Sequence, residues 1–263
     1  MSKKIGLALG SGGARGIAHI GVLKELEKNN IKIDYLAGCS MGALIGGSYA
    51  LSKNIKELEE IALSFNKRWS LNKIADLNLP HKSLIKGFKV SNFIKSLVYD
   101  KKFNETKIPL KIIATELASG DEVVLDKGKI SDAIRASISL PGIFPLIKIN
   151  NKYLLDGGLV NPTPADIVQK MGADITIAVD FIINSKQEFK NPGIFTVLMQ
   201  SYEIMREQAV KHRIKEKKNL IIIKPDIRSA IDSFKFRDIE KIIESGAKAT
   251  RKAMPQIKSL ILQ

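Results

Sequence analysis

The stretch Gly38-Cys39-Ser40-Met41-Gly42 sets a serine between two glycines, each two residues away. It follows the apolar run Tyr35-Leu36-Ala37 and precedes the small-residue stretch Ala43 to Leu51, so the local reading is strand, sharp corner, helix. In that context GxSxG is a nucleophile elbow: the serine occupies a strained strand-to-helix turn, and the glycines let the chains pass closely. Its hydroxyl is then held where a substrate carbonyl can reach it. The competing reading of Ser40 is an ordinary helix N-cap. Catalysis requires that the rest of the chain supply an oxyanion-stabilising group and a base.

A place for an oxyanion is legible upstream. Ile5 to Leu9 reads as a buried strand that runs into Gly10-Ser11-Gly12-Gly13-Ala14-Arg15-Gly16, after which Ile17, Ile20, Leu23 and Leu26 follow at helical spacing. The dinucleotide fingerprint GxGxxG fails because Arg15 stands at its third glycine. The phosphate loop GxxxxGK[ST] fails because Ile17 and Ala18 follow Gly16. What survives is a row of backbone amides at a helix N-terminus, a fixed patch of partial positive charge that suits an anion.

The usual base for such a serine is histidine. His19 falls on the apolar spacing of the first helix and reads as a core residue; His81 lies in a basic segment; His212 stands among cations that disfavour its protonated form. Asp156 is the better candidate, because it ends the apolar run Tyr153-Leu154-Leu155 and precedes Gly157-Gly158, which permit tight backbone geometry. A free aspartate has a pKa of about 3.9 and is a weak base unless burial raises it. The competing reading of Asp156 is a turn-forming residue.

Strands and helices that would carry these groups follow in order. Asn54 to Phe65 has the spacing of an amphipathic helix, and Leu110 to Leu117 reads as a central strand with Glu122 to Leu125 returning beside it. Lys129 to Ile138 reads as a helix stopped by a rigid loop, Pro141 to Pro145; Ile147 to Leu155 is a hairpin turning at Asn150-Asn151. Ala165 to Met171 reads as a helix, Asp174 to Val179 as a strand, Ile194 to about Glu216 as a long helix, and Leu220 to Ile223 as a strand. A last helix is expected from Asp238 to Lys252, with Pro255 beyond it, and this C-terminal third carries less chemistry.

The chain of 263 residues is read as one domain, with a motif-bearing core at about 5–180, a basic and apolar insertion or lid at about 66–107, and C-terminal helices and a strand at about 190–263. Its single cysteine, Cys39, excludes an internal disulfide and a multi-cysteine metal site, and three scattered histidines make a structural zinc improbable. Neither a leader pattern nor a run of roughly 18 apolar residues occurs, so a cytoplasmic protein is expected, with peripheral association at the inner membrane face. The net charge of +15 suits nucleic acid, an anionic membrane or a lysine-rich proteome. In residues 66–107 lysines and arginines alternate with Trp69, Leu71, Phe88, Phe93, Leu97 and Phe103, which fits either packed helices with a solvated face or a surface that meets anionic lipid.

The glycine loop before Arg15-Gly16, the elbow from Gly38 to Gly42, the Pro141 to Pro145 loop and Asp156-Gly157-Gly158 leading into Leu159-Val160-Asn161-Pro162 resemble, in order and spacing, the motifs of the patatin-like phospholipases. The resemblance covers about residues 5–180 and is to the small bacterial members. It implies an α/β fold, a three-layer α/β/α sandwich with a central, mainly parallel sheet. It also implies a catalytic dyad of Ser40 and Asp156, an oxyanion hole from Gly12 and Gly13 with Met41 beside the nucleophile, and Arg15 setting the loop. Gly16, Gly38, Gly42, Gly157 and Gly158 would support these motifs. Ser11 departs from the family's GGGxRG loop; at positive φ it would strain the loop by roughly 1 kcal/mol or more.

The expected activity is that of a serine acyl hydrolase cleaving fatty-acyl esters of phospholipids or lysophospholipids through an acyl-enzyme, without metal or cofactor. An alternative is a regulatory or membrane-associated binding protein with weak or vestigial esterase activity. Nucleic-acid binding rests on net charge alone and is not expected.

Overall fold

The computed structural model describes residues 3–68, 87–181, 191–214, 219–227 and 238–263. Its sheet is built on alternation. In β1 (Ile5–Leu9), Ile5, Leu7 and Leu9 join one apolar cluster while Ala8 joins another on the opposite face. The same division holds in β2 (Tyr35–Cys39), where Leu36 faces one way and Ala37 and Cys39 the other. In these two strands large side chains therefore cover one face, against α1 (Ala18–Lys28), α2 (Met41–Ser52) and other helices, and small ones the face that receives α6 (Ala165–Lys170). Small residues let that helix sit close to the sheet. Each fully buried Leu or Ile contributes about 1.5–3 kcal/mol.

The remaining strands are β3 (Leu110–Glu116), β4 (Glu122–Leu125), β5 (Ile147–Ile149), β6 (Lys152–Asp156), β7 (Ile175–Val179) and β8 (Leu220–Ile223). They complete one sheet in the order β5-β6-β3-β2-β1-β7-β8, with β4 also on β3. The centre, from β3 through β2, β1 and β7 to β8, is parallel, and β4, β5 and β6 are antiparallel additions at one side. With helices on both faces, the molecule is a three-layer α/β/α sandwich with a mainly parallel sheet. The chain leaves β1 for β2 on one side and later returns to β7 on the other, so the crevice beyond β1 and β7 is the point where strand order reverses, a place where open α/β sheets build sites.

α3 (Ile55–Arg68) and α4 (Phe88–Val98) flank the basic segment between them, and residues 69–86, with His81 and part of the expected lid, lie outside the described residues. α4 buries Val90, Ile94 and Val98 in the core and leaves Phe88 exposed. α5 (Ile130–Ser137) and α7 (Ile194–Arg213) match the expected helices, and the Asn150-Asn151 turn takes positive φ at both residues.

One expectation is overturned. α8 (Ile239–Leu262) runs through Pro255 instead of ending at Lys252. An interior proline costs about 3 kcal/mol through its missing N–H and its clash with the preceding turn. Beyond Lys252, however, Met254, Ile257 and Leu260 continue the helical spacing and are buried in the core. Three large side chains at about 1.5–3 kcal/mol each outweigh the proline.

Candidate active site

The sheet brings Ser40 and Asp156 together by a simple device. β4 occupies one edge of β3, pairing with residues 112–115, so β2 at residues 110–113 and β6 at residues 114–116 must share the other. These two strands run towards each other along that edge. Cys39 ends β2 opposite Ile113, and Asp156 ends β6 opposite Ala114. The residue after Cys39 is thereby delivered to Asp156, and Ser40 Oγ donates to Asp156 Oδ2 at 2.7 Å. Gly157 lies where the two chains part, and a Cβ there would stand 2.4 Å from the Ile113 carbonyl oxygen, so only glycine fits.

Ser40 has φ 55° and ψ −119°, outside the wells open to L-residues, a conformation that costs on the order of 1–3 kcal/mol. Its hydroxyl makes no cap bond to α2. The N-cap reading of Ser40 therefore fails at the side chain, which turns to the carboxylate instead. The corner is held by its backbone: the Ser40 amide donates to Ser137 Oγ at 2.8 Å, and its carbonyl accepts from Ala43 and Leu44. Gly42 is the close-packing partner of the corner, since a Cβ there would stand 2.1 Å from the Leu9 carbonyl oxygen.

Asp156 is 2% exposed. Its Oδ1 accepts from the Gly158 amide at 2.8 Å and from the Tyr202 hydroxyl at 3.2 Å, and its own amide donates to the Ser139 carbonyl. Burial pushes its carboxyl up to about 6, against the opposing pull of the bonds from Gly158, Ser40 and Tyr202. Cys39 is fully buried beside it, and burial drives its thiol well above the ordinary range, so it is no nucleophile at neutral pH.

The glycine loop crosses the ends of β1 and β7. The Gly10 amide donates to Val179 O at 3.0 Å and the Ser11 amide to Pro162 O at 2.7 Å. Ser11 is not among the residues with positive φ, so the loop avoids the strain considered above, and its amide is committed to Pro162. The loop carbonyls are tied down by side chains: His19 Nε2 meets Gly10 O at 2.8 Å, and Arg15 Nε donates to Gly12 O at 3.3 Å. The Gly12 and Gly13 amides donate to no described residue. His19 is fully buried against Phe181, and burial lowers its pKa to about 4, so it is a structural post under the loop.

The C-terminal third, expected to carry little chemistry, supplies the groups that lock the site. α7 places Tyr202 on Asp156 and, one residue on, Glu203 on Arg15, with Oε1 2.6 Å from Nη2. Glu203 Oε2 accepts from Arg206 Nε at 3.0 Å, and Arg206 reaches Asp180 at 3.3 Å and the Phe181 carbonyl. Two arginines and two carboxylates form a buried, charge-balanced chain from the glycine loop to the end of β7. Burial presses the Glu203 carboxyl upwards, but Arg15 and Arg206 outweigh it and hold its pKa below the usual range. Sequence reasoning missed Tyr202, Glu203, Arg206, Asp180, Ser137 and Ser139. The spacing of Glu203 and Arg206 in α7 is that of an ordinary surface ion pair, and nothing local distinguishes it from one.

With this geometry in hand, comparison with known proteins is decisive. The sequence signature described as patatin-like phospholipase matches residues 7–168, which include the glycine loop, the elbow and Asp156. The chain belongs to the patatin-like phospholipase family. This patatin-like chain is 35% identical over 178 residues to an "Uncharacterized NTE family protein" of Mycobacterium tuberculosis, covering 68% of this chain and 49% of that protein. It is 34% identical over 180 residues to human "Patatin-like phospholipase domain-containing protein 6", covering 67% of this chain but 13% of the human protein. It thus spans about half the length of the mycobacterial relative and a small part of the human one. Among solved structures, VipD from Legionella pneumophila superposes with a TM-score of 0.62 at 12% identity, covering 97% of this chain and 67% of VipD. Human GIVD cytosolic phospholipase A2 gives a TM-score of 0.59 at 10% identity, covering 99% of this chain and 60% of the enzyme. At such identities these two establish shared fold alone.

Proposed function

We propose that the protein is a serine acyl hydrolase that cleaves fatty-acyl esters of phospholipids or lysophospholipids through a Ser40–Asp156 dyad. The observation that carries this reading is the bond of 2.7 Å from Ser40 Oγ to Asp156 Oδ2, made from a strained elbow to a buried carboxylate. Ser40 Oγ attacks the ester carbonyl while its proton passes to Asp156 Oδ2. The developing oxyanion is received by the Gly12 and Gly13 amides and by the Met41 amide, which lies in the first turn of α2 and bonds to none of the described residues. Collapse expels the alcohol or lysolipid, which takes the proton from Asp156. Water then attacks the acyl-enzyme with Asp156 again as base; the bond to Ser40 Oγ breaks, Oγ takes the proton back from Asp156, and the fatty acid is released. Family membership supports the lipid-ester substrate class.

A fluorophosphonate probe tests the nucleophile directly. Labelling of the wild-type protein confined to the peptide that contains Ser40 is expected. A folded protein that resists the probe would favour a binding or regulatory role.

The base has its own test in pH. Asp156 must be ionised to take the serine proton, so kcat/KM for a neutral ester should fall on the acid side with an apparent pKa near 6. Tyr202→Phe removes a hydrogen bond that favours the ionised form, which moves that limb to higher pH by about half to one unit. An acid limb at the ordinary aspartate value, unmoved by Tyr202→Phe, would argue that another group titrates.

A further inference from the structure

One side of α7 has an unusual composition. Ile194, Val197, Leu198, Ser201, Ile204, Met205 and Gln208 share one face by helical spacing, and none of them carries a charge. Five are large and apolar, and all five are exposed: Ile194 by 81%, Leu198 by 56%, Ile204 and Met205 by 52% and Val197 by 48%. A helix face that met only water would carry the charged residues found elsewhere in this chain. Exposed apolar patches of this kind mark an interaction surface. Tyr202, four residues on from Leu198, borders this stripe and bonds Asp156, while Glu203 on the opposite face bonds Arg15, so the stripe runs along the helix that walls the site.

We propose that this face of α7 is the surface by which the protein docks on a bilayer of anionic phospholipid. The inference rests on the acyl-hydrolase reading and adds to it where the lipid surface is met. Two observations, taken together, favour this occupant. The chain has 42 Lys and Arg against 27 Asp and Glu, a charge that draws it to an anionic surface over long range. The stripe supplies the complementary apolar contact at short range, the combination that holds a helix in the plane of a lipid interface. A bilayer on this face meets the protein at the helix whose Tyr202 bonds Asp156.

The test uses the full chain and vesicles of phosphatidylcholine with and without phosphatidylglycerol. Wild-type protein should co-sediment with the anionic vesicles and less with the neutral ones. The triple variant Ile194→Gln, Leu198→Gln, Met205→Gln should bind anionic vesicles at least about tenfold more weakly. Its hydrolysis of a short soluble ester, measured without vesicles, should equal that of wild type, which shows that the site and the fold persist. Wild-type vesicle affinity in the variant overturns the proposal. So does a wild-type protein that self-associates in solution and becomes monomeric on the triple substitution, because the face would then be covered by a second copy. Failure of the acyl-hydrolase reading is separately visible as loss of soluble-ester hydrolysis and of probe labelling in the wild type.

Discussion

Ser40→Ala and Asp156→Asn should each lower kcat/KM for a short p-nitrophenyl acyl ester by roughly 10⁴-fold or more, the scale on which removing one member of a cooperating catalytic pair acts. The loss should sit in kcat, because neither change removes a contact to the acyl chain. Asparagine keeps the shape of Asp156 but cannot take a proton, and alanine leaves no nucleophile. Both proteins should melt cooperatively and retain their near-ultraviolet circular dichroism, since the elbow is held by backbone bonds to Ser137, Ala43 and Leu44 and not by the serine hydroxyl. The double variant should be no slower than either single one, as expected when two groups act in one step. An Asp156→Asn protein with wild-type kcat/KM would eliminate the dyad. His19 is a poor substitute in any case: it is fully buried, bonded to the Gly10 carbonyl, and has its basicity depressed to about 4.

The largest effect on stability is expected at Arg206→Met. Methionine fills similar space, yet it leaves Glu203 and Asp180, both buried, without the guanidinium that joins them. Removing one partner of a buried ion cluster typically costs about 3–5 kcal/mol, because Asp180 is left without a counter-ion and Glu203 keeps Arg15 alone. In a domain of this size that corresponds to a fall in melting temperature of roughly 10 °C. Arg206→Lys should recover little, since one ammonium cannot satisfy Glu203, Asp180 and the Phe181 carbonyl at once. Hydrolysis should fall as well, because Glu203 would lose the bond that aims it at Arg15 under the glycine loop. Differential scanning calorimetry of wild type, Arg206→Met and Arg206→Lys gives the comparison. A melting temperature unchanged in Arg206→Met would mean that the cluster is neither as dry nor as coupled as its geometry indicates.

The fold was readable where local chemistry dictates local shape. The apolar run Ile5 to Leu9, the Asn150-Asn151 turn and the glycine stop at Gly10 each announce their element, because run length, turn residues and backbone freedom are properties of a few neighbours. Reading failed where a distant contact overrode the local rule. Pro255 should stop α8, and does not, because Met254, Ile257 and Leu260 find the core on the far side of it. The C-terminal third looked chemically quiet because Tyr202, Glu203 and Arg206 resemble surface residues until α7 is laid against Asp156 and Arg15.

By itself, then, the sequence determined the candidate parts: a serine between glycines, a row of amides, an aspartate before two glycines, and too few well-placed histidines to complete a triad. These follow from residue type and spacing, which the chain carries wherever it goes. Only the tertiary structure decided that β2 and β6 end head to head on one edge of β3, which sets Ser40 Oγ 2.7 Å from a carboxylate 116 residues away. It alone decided that this carboxylate is dry enough to titrate near 6. Distance and desolvation are properties of the packed molecule, created when segments remote in sequence exclude water together, and no window of sequence contains them.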